Sequence, residues 1–103
     1  MSERERDEKA LEDVAVVDEP ANHRFAALVG DAVAHLDYRR DGDVITLVHT
    51  EVPRALRGRG LAQALARHAL EHARAHGLTV VPACPFVAAF VREHPEYAPL
   101  VAP

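Results

Sequence analysis

The chain of 103 residues has one cysteine, Cys84, and no tryptophan. A lone thiol excludes an intrachain disulfide and a multi-thiolate zinc site, and it fits a reducing cytoplasm. Aromatics are scarce, with three Phe and two Tyr. The core must therefore be filled by Ala, Val and Leu, through close backbone approach rather than bulky anchors. No apolar run nears the about 20 residues that a membrane-spanning helix needs. The opening stretch, Met1-Ser2-Glu3-Arg4-Glu5-Arg6-Asp7-Glu8-Lys9, mixes both charge signs and lacks the apolar segment of a secretory leader. There is no basic excess either. Twelve Lys and Arg against 16 Asp and Glu leave a formal charge of −4, which argues against a dedicated nucleic-acid binder. No internal repeat is visible.

The length suits one compact domain. Residues 1–12 read as a flexible charged tail and 13–103 as a single domain. Val14-Ala15-Val16-Val17 is a short apolar run stopped by Asp18-Glu19-Pro20, which predicts a first strand. Arg24–Val29, Ala32–Arg39 and Val44–Val52 predict three more, with turns at Gly30-Asp31 and Asp41-Gly42-Asp43. After Pro53 the period changes. Ala62, Leu65, Ala66, Ala69, Leu70 and Ala73 recur at helical spacing, and Gly77 stands where a helix C-terminal glycine belongs. Thr79-Val80-Val81 predicts a buried fifth strand. Pro85 opens a second helix with Phe86, Ala89 and Phe90 on its apolar side, and His94-Pro95 closes it. Strand, helix and strand in that order form a crossover, so strands four and five must run parallel.

The turn Arg57-Gly58-Arg59-Gly60-Leu61-Ala62 lies between strand four and the first helix. Two glycines let the backbone come close to a ligand, the helix N–H groups favour an anion, and two arginines add positive charge. A diphosphate is the natural guest. The alternative is an ordinary surface turn. A Walker loop is excluded because its lysine and hydroxyl are missing, and a Rossmann fingerprint because no G-x-G-x-x-G follows the first strand.

This turn resembles the [QR]-x-x-G-x-[GA] motif of the GNAT acyltransferase superfamily, with Arg57, Gly60 and Ala62 in the defined positions. The stretch from His49-Thr50-Glu51-Val52-Pro53 through Cys84-Pro85-Phe86 to His94-Pro95-Glu96-Tyr97 resembles the small single-domain, YjdJ-like branch. The resemblance covers roughly residues 13–101. It implies an α/β (α+β) fold, a mixed, mostly antiparallel twisted sheet flanked by helices, with strands four and five splayed around CoA. Pro53 and Pro82 agree with diverging strands, since neither can donate to a ladder. It further implies acetyl-CoA as cosubstrate, an amine acceptor as partner and no metal. Val52, Arg57, Gly58, Arg59, Gly60, Leu61 and Ala62 would bind the cosubstrate.

The resemblance puts the thioester near the ends of strands four and five, beside His49, Thr50, Glu51 and Cys84. Cys84 precedes Pro85, so it sits at a helix N-cap, where the dipole lowers a thiol's pKa. There it can protonate the leaving thiolate or relay the acyl group; alternatively it is a small buried hydrophobe. Glu51 and His49 are candidate bases on one strand face, with Thr50 on the other. Their structural readings are a solvated carboxylate and a hydrogen-bonded histidine. Larger relatives have a tyrosine acid where Phe90 stands, which puts that assignment in doubt.

His68, His72 and His76 recur every four residues, yet read as a solvated helix face rather than a zinc site. Arg54, Arg57 and Arg59 lack the interleaved aromatics of a nucleic-acid surface, and Tyr38 and Tyr97 read as packing residues before acceptor contacts. Only Asp18 to His23 separates the first two strands, too little for the helices that cover the acceptor in larger relatives. The acceptor side should be open, or completed by a second subunit, as in a homodimer, or by a large substrate. The rival readings are a non-catalytic CoA-binding or acyl-CoA-sensing module and a protein-interaction domain without cofactor.

Overall fold

A computed structural model describes residues 14–103. The expected tail at residues 1–12 lies outside the described residues. Five strands form one sheet in sequence order: β1 (Val16–Glu19), β2 (Arg24–Val29), β3 (Ala32–Asp41), β4 (Val44–Glu51) and β5 (Thr79–Pro82). The first four are antiparallel neighbours, and β5 runs parallel to β4. Helix α1 (Leu61–Ala75) joins β4 to β5, and α2 (Pro85–Glu93) follows β5.

Alternation along the strands sorts the side chains. Phe25, Ala27, Ala34, Leu36, Ile45, Leu47 and Val80 point to one face and are buried. Helix α1 covers them with Leu61, Leu65, Ala66, Ala69, Leu70 and Ala73, its whole inner stripe. Val87 and Phe90 of α2 join the same apolar cluster. The small alanines let α1 lie close to the sheet, as a chain poor in aromatics requires. Leu65 is fully buried at the centre, and truncating such a leucine to alanine costs about 2–5 kcal/mol. Gly77 has φ +66° just past α1, the left-handed turn that ends a helix without strain in glycine.

The other face of the sheet has no helix over it among the described residues. The four exposed large apolar side chains among the described residues, Val17, Leu28, Val44 and Val48, belong to it. The short 3-10 link Pro20–Asn22 between β1 and β2 explains why, since it is too short to build a covering layer.

Two irregularities shape the end of β4. Its ladder with β5 covers only Val44–Leu47 against Thr79–Pro82, and the Cys84 N–H then donates to the Leu47 carbonyl at 2.8 Å. Beyond that point the two strands part. On the other side, Asp37 faces His49 while Tyr38 faces Leu47, so Val48 is one residue too many. This bulge resets the alternation. Ile45 and Leu47 point to the helices before it, whereas Thr50 does so after it, and His49 and Glu51 point to the open face.

Candidate active site

The turn after β4 begins with Pro53, and Arg54–Leu56 coil into one 3-10 turn. Leu56 is buried beneath it. The Arg57 Nε donates to the Val52 carbonyl at 3.1 Å, tying the turn to the strand end. Gly58 and Gly60 have φ of +76° and +89°, values that an L side chain resists. Gly60 is the N-cap of α1 and supplies no capping side chain, and the first turn has no acidic residue. The Gly60 carbonyl already accepts from the Ala64 N–H at 3.0 Å. The earlier N–H groups of the helix therefore face outward with no intrahelical acceptor. An uncapped helix start of 15 residues is a site for an anion.

A cavity of about 180 Å3 opens there. Of the seven residues expected to bind the cosubstrate, Val52, Arg57, Gly58, Gly60, Leu61 and Ala62 line it, and Arg59 does not. Leu56, Gln63 and Phe86 line it too. Leu56 and Gln63 belong to the turn and helix already singled out. Phe86 arrives from α2, through the chain reversal at Cys84, and its place in the cavity is a tertiary fact. A larger hollow of about 530 Å3 lies over β2 to β4, around Arg24, Asp37, Tyr38 and Val48. It has no helix start aimed into it, so the smaller cavity is the better anion site.

Cys84 is the N-cap of α2, with Pro85 in the first turn. It is 4% exposed. Its Sγ lies 3.4 Å from the Thr50 Oγ1, and either can donate. Burial raises the thiol's pKa, but the Thr50 hydroxyl and the backbone N–H groups of Val87 and Phe86 outweigh it, and the net shift is downward. Thr50, which the resemblance places near the thioester without a role, is here the partner of the Cys84 thiol.

His49 and Glu51 come together on the opposite face. The His49 Nε2 and Glu51 Oε2 are 3.0 Å apart, and both side chains are more than half exposed, at 58% and 51%. The structure thus divides the expected catalytic residues: Cys84 with Thr50 on the helix side, His49 with Glu51 on the open side, and the gap between β4 and β5 at their junction.

The tyrosines are committed elsewhere. The Tyr38 hydroxyl donates to Asp18 Oδ1 at 2.7 Å, and burial, then Asp18, push its pKa up to about 12. The Tyr97 hydroxyl donates to Glu71 Oε2 at 2.7 Å, beneath the Arg74 guanidinium. Phe90 packs against His94 and Tyr97, with Arg67 over its ring. The three helix histidines do not converge. His68 and His72 pack edge-on against Phe25, and burial lowers both pKa values. His76 stacks on His72 and hydrogen-bonds its carbonyl at 2.8 Å. Among the described residues no group of three or more His, Cys, Asp or Glu forms a metal shell.

Residues 24–100 match the family described as GCN5-related N-acetyl-transferase. The chain belongs to that family. Curated relatives include Protein NATD1 of Bos taurus, 42% identical over 52 residues, and of Homo sapiens, 40% identical over 52 residues. Each alignment takes in 50% of this chain and 46% of the relative, so the chain spans about half the length of the curated relatives it matches. The solution structure of a GCN5-like protein from Staphylococcus aureus shares the fold at a TM-score of 0.68, with 24% identity, over 86% of this chain and 88% of that one. The family's mixed α/β fold, a five-stranded sheet flanked by helices, is thus the one seen here.

Proposed function

We propose that the chain is an acetyl-CoA-dependent N-acetyltransferase that acetylates an amine. The observation that carries this reading is the uncapped start of α1, opened by two left-handed glycines at a cavity lined also by Val52, just past β4, and Phe86, in the helix that follows β5. Diphosphate oxygens suit the N–H groups of Leu61, Ala62 and Gln63, because the helix dipole and the close backbone stabilise negative charge there. The charges of Arg57 and Arg59 add to the same end. Val52, just past the end of β4 and beyond the last β5 pairing, lines the cavity beside which the amide-bearing arm would lie.

The chemistry needs three events. The amine loses a proton, its nitrogen bonds to the thioester carbonyl carbon as the C–S bond breaks, and the departing sulfur takes up a proton. Glu51, directly or through His49, accepts the first proton on the open side. Cys84, aligned by Thr50, is the donor for the sulfur on the helix side. With Tyr38 and Tyr97 bound to carboxylates and Phe90 without a hydroxyl, Cys84 is the best-placed acid. The free thiol suits a reducing cytoplasm. No helix among the described residues is long and apolar enough to cross a membrane.

The burial of Cys84 also suits a second reading, a CoA-binding sensor without turnover. Release of free CoA in the presence of a panel of amines separates the two. Once an acceptor is found, Cys84→Ser should lower kcat by about a hundredfold, the scale of a positioned acid–base group, with CoA affinity unchanged. CoA binding with no release for any amine would leave the sensor, and failure to bind CoA would leave a protein-interaction domain.

A further inference from the structure

The open face carries a second His–carboxylate pair that mirrors the first. His35 Nδ1 lies 2.8 Å from Asp37 Oδ1 on β3. In the β3–β4 register His35 stands opposite Glu51, and Asp37 stands opposite His49. The four side chains therefore form a square, with imidazoles on one diagonal and carboxylates on the other. Directly opposed residues in an antiparallel pair are close neighbours, and diagonal ones lie about 7–8 Å apart. The bulge at Val48 creates the square, because without it His49 and Glu51 would point to the helices.

We propose that this square is the acceptor-binding site, and that its ligand is an amine with a second positive charge, an alkyl diamine being the simplest form. Glu51 and His49 hold the reacting amine at the edge of the β4–β5 gap. Asp37, oriented by His35, holds the second ammonium further into the sheet. A four-carbon diamine, extended, matches the carboxylate diagonal. Asp37 also lines the hollow of about 530 Å3 that adjoins the square, which gives the ligand room. Arg24 stands opposite Asp37 on β2, and its charge is offset by Glu19, whose Oε1 accepts from its Nε at 2.6 Å. Arg39 also lines this hollow, and its charge disfavours a longer cation there. Each imidazole uses a ring nitrogen on its own strand's carboxylate, so the four groups do not converge as a metal shell would. Organic ammonium groups need only acceptors spread over the face.

This assignment rests on the acetyltransferase reading but is tested apart from it. The full chain, labelled with nitrogen-15, is titrated with 1,4-diaminobutane and with 1-butylamine, with and without CoA. The diamine should shift the amides of His35, Asp37, His49 and Glu51 and bind more tightly than the monoamine. Asp37→Asn should lower the diamine-to-monoamine affinity ratio about tenfold, as loss of one charge-assisted contact does, whereas Asp37→Glu should keep the ratio within about threefold. CoA affinity and melting temperature should stay at wild-type values in both variants. An unchanged ratio in Asp37→Asn, or diamine shifts located away from the square, would overturn the assignment. Failure of CoA to bind would instead strike the acetyltransferase reading and leave the diamine result standing.

Discussion

The two faces of β4 end in different chemistry within three residues. On the helix face, Thr50 meets a buried thiol at the start of α2. On the open face, His49 and Glu51 meet each other in solvent, beside a second pair from β3. A strand of plain alternation places His49 and Glu51 together, but the bulge that absorbs Val48 decides which face receives them. The difference shows how one strand can carry an apolar, helix-covered side and a polar, solvent-facing side where the described residues place no layer over the second.

The comparison can be broken most severely on the helix face. Gly60→Glu forces a side chain into φ +89° and puts a carboxylate where an anion is expected. CoA affinity should fall by more than about a hundredfold, since charge reversal and backbone strain act together. Calorimetry on the folded variant checks this. Affinity within threefold of wild type would move the anion site elsewhere.

Thr50→Val attacks the helix-face pair. It keeps the β-branched shape and removes the hydroxyl that lies 3.4 Å from the Cys84 sulfur. Cys84 should become less reactive toward iodoacetamide, because Thr50 no longer helps its thiolate. A variant of wild-type thiol reactivity would mean that Thr50 has no part in setting the thiol.

The smallest expected effect lies at the sheet's far end. Tyr38→Phe removes the hydrogen bond to Asp18 and should cost about 1 kcal/mol near neutral pH. Burial and Asp18 raise the Tyr38 pKa to about 12 from its ordinary 10. The folded state then binds this proton more tightly than the unfolded chain does. Its stabilising contribution is full below pH 10 and is lost as pH rises toward about 12. Denaturation curves of wild type and Tyr38→Phe should therefore converge over that window. Parallel curves would mean that the hydroxyl is not held by Asp18.

Much of this was legible in the sequence, for reasons that differ by element. The six inner residues of α1 recur at helical spacing because one stripe must cover a flat sheet, so the helix announces itself. Pro85 places Cys84 at an N-cap, and the paired glycines mark the turn. The first strand starts at Val16 rather than Val14: its pairing with β2 begins at Val16 opposite Ala27, and Leu28 and Val29 of β2 have no partner in β1. The bulge was not legible. Val48 is an ordinary β-branched residue, with no glycine or proline nearby to mark a register shift. Without it, the contact of Thr50 with Cys84 could not be foreseen, nor the alignment of His35 and Asp37 with Glu51 and His49. Phe86 in the cavity was hidden for another reason. It depends on how α2 folds back beside the gap between strands, a contact between segments distant in sequence.

The most direct test of the central claim is an amide-by-amide titration of the isotope-labelled chain with CoA. The account predicts that the largest shifts fall at Val52, Gly58, Gly60, Leu61, Ala62, Gln63 and Phe86, around the uncapped start of α1, with the amides of Arg24 and Asp37 on the open face little changed. Largest shifts around Arg24, Tyr38 and Val48 in the open-face hollow, or no saturable shifts at all, would contradict it.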